Sequence, residues 1–297
     1  MTVRAAPADD SGVRALIRLA LVEDIGSGDL TTRATVARHT EARGRVVARQ
    51  SMVVAGMGLL DAIIEELVQL GEAGAGASSL RVSERVGDGT HVSSGATLCV
   101  LDGAAWGVLT LERTFLNFLG HLSGVATETA RVVGAVRAAG CKTRVLDTRK
   151  TTPGWRLLEK YAVRQGGGSN HRMGLFDAVL IKDNHIVAAG GIAEAVRAAL
   201  SSSPGGVKVE VECDTMEQVA VALGAGATSL LLDNFSPDAV SAAVRFVAGR
   251  AEIEVSGGVT MDTVVAYAKA GPDSISLGRL THSARAADVS MEVALLA

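Results

Sequence analysis

Cysteine is scarce in this chain, and aromatic residues are scarcer than usual. Three cysteines, Cys99, Cys141 and Cys213, stand in 297 residues. They share no metal-ligand spacing and cannot make an even-numbered framework, which excludes a disulfide scaffold and argues against zinc. Aromatic residues make up 3% of the chain, so the core implied by 48% hydrophobic residues is expected to be aliphatic. Long apolar runs are missing, and stretches such as residues 178–181 are far too short to span a bilayer. The opening MTVRAAPADD lacks the apolar centre of a secretory signal. Positive charge is not in excess either, with a formal net charge of −3 and an isoelectric point near 6.1. Nucleic-acid binding calls for a wide basic surface, so that partner is not expected. The simplest setting is soluble, reducing and cytoplasmic, without a membrane partner.

What the chain does have is one dense cluster of cations. Residues 147–185 read DTRKTTPGWRLLEKYAVRQGGGSNHRMGLFDAVLIKDNH. Between 149 and 176 there are six Lys or Arg (Arg149, Lys150, Arg156, Lys160, Arg164, Arg172) and His171, against the single acid Glu159. Local field and whole-molecule charge are separate quantities, so such a segment in a mildly acidic protein points to a pocket for a polyanion.

The hydrophobic rhythm changes along the chain. Ser11 is placed to cap a helix running to residue 24. Alternating segments near residues 42–50, 52–55, 80–86 and 97–101 suit an antiparallel sheet, with a helical stripe at Leu59, Leu60, Ile63, Ile64, Leu67 and Leu70 between them. Residues 71–79 read as a flexible connector. Residues 105–139 are helical in pattern, broken by Gly120 and Gly124. Beyond Gly140 the order is strand, loop, helix, repeated. Strands are expected at 144–147, 178–182, 207–212, 229–233, 252–256 and 274–278, and helices at 154–161, 191–200, 215–223, 237–248 and 260–270. That alternation predicts a parallel sheet, closed or nearly closed as a β/α barrel. The strands end in Asp147, Lys182, Glu212, Asp233, Ser256 and Gly278. In a barrel the C-terminal strand ends form one rim, where active sites are built.

Several of these residues carry chemistry. Glu212 and Asp233 end successive strands and either share a magnesium ion or pair with nearby cations. The Ser256-Gly257-Gly258 turn precedes a helix, and Gly278 is followed by Arg279, Thr281 and His282. Both read as phosphate cradles, with plain tight turns as the alternative. Arg149, Arg172 and His171 are suited to carboxylates. Arg156 and Arg164 read as solvated surface arginines. Lys182 is either a Schiff-base nucleophile or a fixed positive charge beside phosphate. His39, His91, His121 and Cys213 read as structural.

Taken with the segments EDIGSGDLTT (23–32), ERTFLNFLGHLSGVAT (112–127), VEVE (209–212), LLLDN (230–234), EVSGGV (254–259) and SLGRLTHS (276–283), the cationic stretch resembles quinolinate phosphoribosyltransferase, the decarboxylating nicotinate-nucleotide pyrophosphorylase. The likeness extends over nearly the whole chain beyond residue 11 and is most specific at 147–185. It implies an α/β protein with an N-terminal α/β sandwich domain (1–120), an incomplete, open β/α barrel of TIM type (121–282) and a C-terminal segment (283–297) that packs back on the N-terminal domain. It implies phosphoribosyl transfer to quinolinate with decarboxylation, by a homodimer in which Arg113 enters the neighbouring site. On matching positions, Arg149, His171, Arg172 and Arg113 of the partner subunit would hold the pyridine dicarboxylate. Lys150 and Lys182 would face the diphosphate of phosphoribosyl diphosphate. Glu212 and Asp233 would hold the ribose hydroxyls and Mg2+, and Ser256, Gly257, Gly278 and His282 the 5-phosphate. The competing readings are a Schiff-base lyase using Lys182, an anion-binding paralogue without turnover, and a nicotinate-using transferase that does not decarboxylate.

Overall fold

The computed structural model describes residues 6–296. Among them twelve strands follow in chain order: β1 (Glu41–Ala48), β2 (Met52–Val53), β3 (Arg81–Ser83), β4 (His91–Val92), β5 (Thr97–Ala104), β6 (Arg144–Leu146), β7 (Val179–Ile181), β8 (Val209–Cys213), β9 (Ser229–Asp233), β10 (Glu252–Ser256), β11 (Ser274–Ser276) and β12 (Val289–Leu295). Two units form. One holds the residues up to 130, residues 151–167 and those from 283 onwards; the other holds residues 131–150 and 168–282. The resemblance implies boundaries at residues 120 and 282, with the C-terminal segment packing on the first domain, as residues from 283 onwards do. The packing instead divides the chain near residue 130 and returns residues 151–167 to the first unit.

In the first unit the helix Ser11–Ile25 buries Val13, Ile17, Leu21 and Ile25. Its cap is Asp10 rather than Ser11, because the Asp10 carboxylate accepts from the Gly12 and Val13 N–H groups. The antiparallel sheet has the order β12-β1-β5-β3. Strand β1 alternates as expected, with Ala42, Gly44 and Val46 buried between exposed Glu41, Arg43 and Arg45. The C-terminal β12 pairs with β1, Val46 opposite Met291.

The helix Ala105–Ala138 runs unbroken for 34 residues, where two interruptions are expected from its glycines. The glycines serve packing instead. An added Cβ at Gly124 would sit 2.1 Å from the Arg285 carbonyl oxygen, and one at Gly120 would sit 3.0 Å from that of Ala287. The Ala287 N–H donates to the Gly120 carbonyl at 2.8 Å. Missing side chains thus admit the segment before β12 onto the helix, which outweighs a helix-propensity loss of about 1 kcal/mol per glycine.

Residues 151–167 also belong to this packing. Glu159 is fully buried, and its carboxylate faces His121 Nε2 at 2.9 Å and the Thr152 N–H at 3.1 Å. Tyr161 donates to Asp88 at 2.6 Å. Lys160 is buried as well. Arg156 donates to Thr151 Oγ1 and Arg164 lies over the Tyr161 ring at 6.0 Å. Both are half-buried, so neither is the solvated arginine expected. The cationic stretch is therefore two things: a structural helix here, and a pair of loops in the other unit.

The second unit is a six-stranded parallel sheet in the order β6-β11-β10-β9-β8-β7. Its edges are β6 and β7, consecutive in sequence, so this is a barrel left open between its first two strands. Every expected strand is present within a few residues of its expected bounds. Crossover helices Ile192–Ser202, Met216–Gly224 and Pro237–Val247 separate the strands. Thr215 and Ser236 cap the last two through the N–H groups of Gln218 and Ala239. The helix expected at 260–270 is shorter, Val264–Lys269, and follows a Thr260–Thr263 turn. No helix among the described residues is long and apolar enough to cross a membrane.

Candidate active site

Residues two apart in a strand share a face. The pairs Leu180 and Lys182, Glu210 and Glu212, Leu231 and Asp233, and Glu254 and Ser256 therefore form two layers on one side of the parallel sheet. Lys182, Glu212, Asp233 and Ser256 line a cavity of about 410 Å³, together with Gly257, Gly278 and His282. Arg149, Lys150, His171 and Arg172 line it as well. Of the twelve residues singled out in the sequence, eleven border this space.

Asp147 is the strand-end residue with a different use. It is fully buried, and its carboxylate accepts from the His171 N–H at 2.9 Å and from Asn170 Nδ2 at 2.5 Å. The Ser169 N–H donates to the Val145 carbonyl at 2.8 Å. These bonds fasten the loop of residues 169–172 along β6. Arg172 Nη1 donates to the Ala178 carbonyl at 3.1 Å, while its Nε is buried without a hydrogen-bond partner. Burial, then the positive charge of Arg149, pushes the Arg172 guanidinium below its ordinary pKa. Two arginines that repel each other at a cavity wall, one with an unmatched donor, are stabilised by an anion.

Lys182 Nζ lies 2.5 Å from Glu212 Oε2, so in this state Glu212 pairs with a cation. Asp233 accepts from Asn234 Nδ2 at 2.6 Å. Gly257 has a φ of +89°, and an added Cβ would meet Asn234 Oδ1 at 2.2 Å, so the turn after β10 packs tightly on the loop after β9. Because the next helix begins only at Val264, the exposed N–H groups here belong to a turn and not to a helix N-terminus, as the sequence suggests. At Gly278 an added Cβ would lie 3.0 Å from Lys150 Cδ and 3.3 Å from the His282 ring. Thr281 Oγ1 donates to the Lys150 carbonyl at 2.7 Å. Lysine, imidazole and a bare backbone thus meet at one point. The carboxylates of Glu212 and Asp233, from adjacent strands at one mouth, fit the oxygen donors that magnesium takes alongside water and phosphate.

Beneath this rim lies a second layer. His171 Nε2 is 3.1 Å from Glu210 Oε2 and 3.5 Å from Glu254 Oε1, while Nδ1 accepts from the Arg172 N–H at 2.7 Å. Lys208 Nζ and Ser229 Oγ reach Glu210 Oε1 at 3.1 and 2.9 Å. Burial pushes the Glu210 carboxyl up, but the His171 bond and the charges of Lys208 and His171 outweigh it and hold the group well below the usual carboxylate range. Burial, then the charge of Glu210, pushes Glu254 up.

Residues 29–123 match the N-terminal domain of the quinolinate phosphoribosyl transferase family, and residues 125–292 match its C-terminal domain. The chain belongs to that family. It is 42% identical over 284 residues to the nicotinate-nucleotide pyrophosphorylase [carboxylating] of Mycobacterium leprae, covering 94% of this chain and 96% of that protein. It is 38% identical to the probable enzyme of the same name from Bacillus subtilis, over 95% of this chain and 94% of the other. Among solved structures, the nicotinate-nucleotide pyrophosphorylase from Francisella tularensis superposes with a TM-score of 0.86 at 39% identity, covering 97% of each chain.

The family assignment covers both units, and three residues remain to be placed: Arg113, which the resemblance assigns to the partner subunit's site, and the acids Glu210 and Glu254. Arg113 belongs to the first unit, where its side chain is 63% exposed and 4.0 Å from Glu112; it is not among the residues lining the cavity. Glu210 and Glu254 are not singled out by the strand-end criterion. Their signal is present in VEVE and EIEVS: an acid on the same face as the rim residue, two positions earlier, where an aliphatic residue is the ordinary occupant of a barrel interior.

Proposed function

We propose that this cavity seats quinolinate against Arg149 and Arg172, beside phosphoribosyl diphosphate held by Lys150, Lys182 and the glycine turns. The protein is a decarboxylating quinolinate phosphoribosyltransferase: it transfers the phosphoribosyl group to quinolinate, giving nicotinate mononucleotide, diphosphate and carbon dioxide in NAD biosynthesis. The observation that carries the residue assignment is the Arg149 and Arg172 pair, with a buried, unmatched Arg172 Nε, on the same cavity as Lys182, Glu212 and Asp233.

Departure of diphosphate leaves C1 of the sugar oxocarbenium-like, as in glycosyl transfer generally. Lys150 and Lys182 stabilise the leaving charge, Lys182 exchanging Glu212 for a phosphate oxygen. Glu212 and Asp233 would hold a magnesium ion, which would supply further neutralisation of the diphosphate. The ring nitrogen bonds to C1 and becomes cationic. That charge stabilises the carbanion left when the adjacent carboxylate departs as carbon dioxide, and the carbon then takes a proton. Ser256, Gly257, Gly278 and His282 anchor the 5-phosphate, and most of the rate comes from positioning and charge. A lysine nucleophile is usually desolvated or beside another cation. Lys182 is 44% exposed and against a carboxylate, which favours the fixed-charge role.

Incubation with quinolinate, phosphoribosyl diphosphate and magnesium should release carbon dioxide and nicotinate mononucleotide in equal amounts, and a chelator should stop both. Phosphate binding without turnover, or a covalent adduct trapped by borohydride, would remove this reading. The working unit is a homodimer with Arg113 of the partner subunit completing each site. Mixing inactive Arg113→Ala and Lys182→Ala chains should therefore restore part of the activity, and no recovery after verified subunit exchange would refute sharing. The cytoplasm is the proposed compartment, checked by cell fractionation.

A further inference from the structure

We infer that the exposed tip Leu175–Phe176 of one protomer inserts into an apolar groove on the first unit of a second copy, and that this seating brings Arg113 of the partner subunit to the quinolinate site. This rests on the homodimer proposed above and names the contact that aligns it.

The tip is held so that it protrudes. The Asp177 carboxylate accepts from the Met173 and Gly174 N–H groups at 2.7 and 2.9 Å, which closes a turn directly after Arg172. The Phe176 ring lies against bare Gly174, where an added Cβ would be 2.5 Å away. Even so, Leu175 and Phe176 are 74% and 82% exposed, so their own chain leaves them uncovered. Single surface apolar residues need no explanation, but two large ones side by side on a fixed turn form a knob. An aromatic ring presented by a turn loses little freedom on docking, which is what an interface anchor requires.

The groove has the matching chemistry. The helix Ser11–Ile25 already buries one stripe through Val13, Ile17, Leu21 and Ile25. Leu16, Leu19 and Ala20 make a second stripe at helical spacing and border a cleft of about 360 Å³. Leu19 is 62% exposed. Phe118 and Trp155 border the cleft too, stacked with ring centroids 4.7 Å apart. A helix with apolar residues on two faces needs cover on both. Glu23 and Asp24 also lie along the cleft and are exposed, whereas Arg149, Arg172 and Lys182 line the barrel mouth. Acids beside the groove and cations beside the tip attract, and so orient the encounter.

Position selects a second copy as the occupant. Thr114 and Asn117 supply another part of the groove wall. Arg113, whose side chain is 63% exposed, precedes Thr114 and lies about 6 Å along the helix axis from Asn117. On the other side of the contact, Phe176 follows Arg172 by four residues, at most about 14 Å of chain. Seating the tip therefore sets Arg113 beside the loop that carries Arg172. Two-fold symmetry repeats the contact, tip to groove and groove to tip.

The test uses the full chain. Sedimentation gives the dimer dissociation constant of wild type, Phe176→Ala and Leu19→Glu, the last altering the groove at a position exposed in the single chain. Each variant should raise that constant about a hundredfold, since a symmetric dimer loses the anchor twice. A second measurement reads the groove directly. Trp155 is one of two tryptophans, and Trp106→Phe leaves it as the only one. In that background, acrylamide should reach Trp155 poorly in the dimer and readily once Phe176→Ala is added. Unchanged dimer strength in either variant, or unchanged quenching of Trp155, overturns the inference while the homodimer stands. A wild type that is monomeric under assay conditions overturns both.

Discussion

Arg172→Ala should raise the KM for quinolinate by about one to two orders of magnitude, the range set by one or two charge-assisted bonds of roughly 1.5–3 kcal/mol each. The KM for phosphoribosyl diphosphate should move little. The asymmetry follows from where Arg172 sits: on the loop fastened by Asp147 and beside Arg149, whereas the phosphate is proposed to lie where Gly278, Lys150 and His282 meet. Removing one member of a repelling cation pair also relieves the fold, so stability should not fall with affinity. Steady-state kinetics with each substrate varied in turn decides the matter. Equal loss for both substrates would contradict the assignment, since it would mean that Arg172 supports the cavity as a whole.

Gly124→Ala should destabilise the protein by about 2 kcal/mol or more, although alanine is the better helix former. The propensity gain is at most about 1 kcal/mol. Against it stands a Cβ placed 2.1 Å from the Arg285 carbonyl oxygen and 3.0 Å from the Ala286 Cα. Both are backbone atoms that cannot rotate aside, and overpacking of this kind costs about 1–3 kcal/mol and sometimes more. The same helix carries its own control. Nothing lies within 4 Å of a Cβ added at Gly134, so Gly134→Ala should stabilise by about 0.5–1 kcal/mol. Urea unfolding of the two variants should therefore move the midpoint in opposite directions. A shift of the same sign in both would show that helix propensity, not contact with the C-terminal segment, governs these glycines.

Much of the architecture could be read from local pattern. The six barrel strands, the order of the rim residues and the helices between them follow from the short-range alternation of aliphatic and polar residues, which each segment carries by itself. So does the choice of cations and carboxylates around the mouth. The motif segments from 23–32 to 276–283 carry the family because a site that must hold two carboxylates and a diphosphate sugar leaves few residue types for each position.

Other features are properties of contact between distant segments. Gly120 and Gly124 look like helix breaks until the chain near residue 286 is laid against them. The run from Arg156 to Arg164 shares its composition with Arg149 and Arg172, yet it packs elsewhere, with Glu159 on His121 and Tyr161 on Asp88. Asp147 and Asp233 both end strands, and only the first is turned inward to hold a loop. The sequence by itself determined the barrel, its rim and the family, because periodicity and residue chemistry are local. Only the tertiary structure decided which charges are buried and which are paired, because desolvation and hydrogen bonding depend on neighbours brought together by folding.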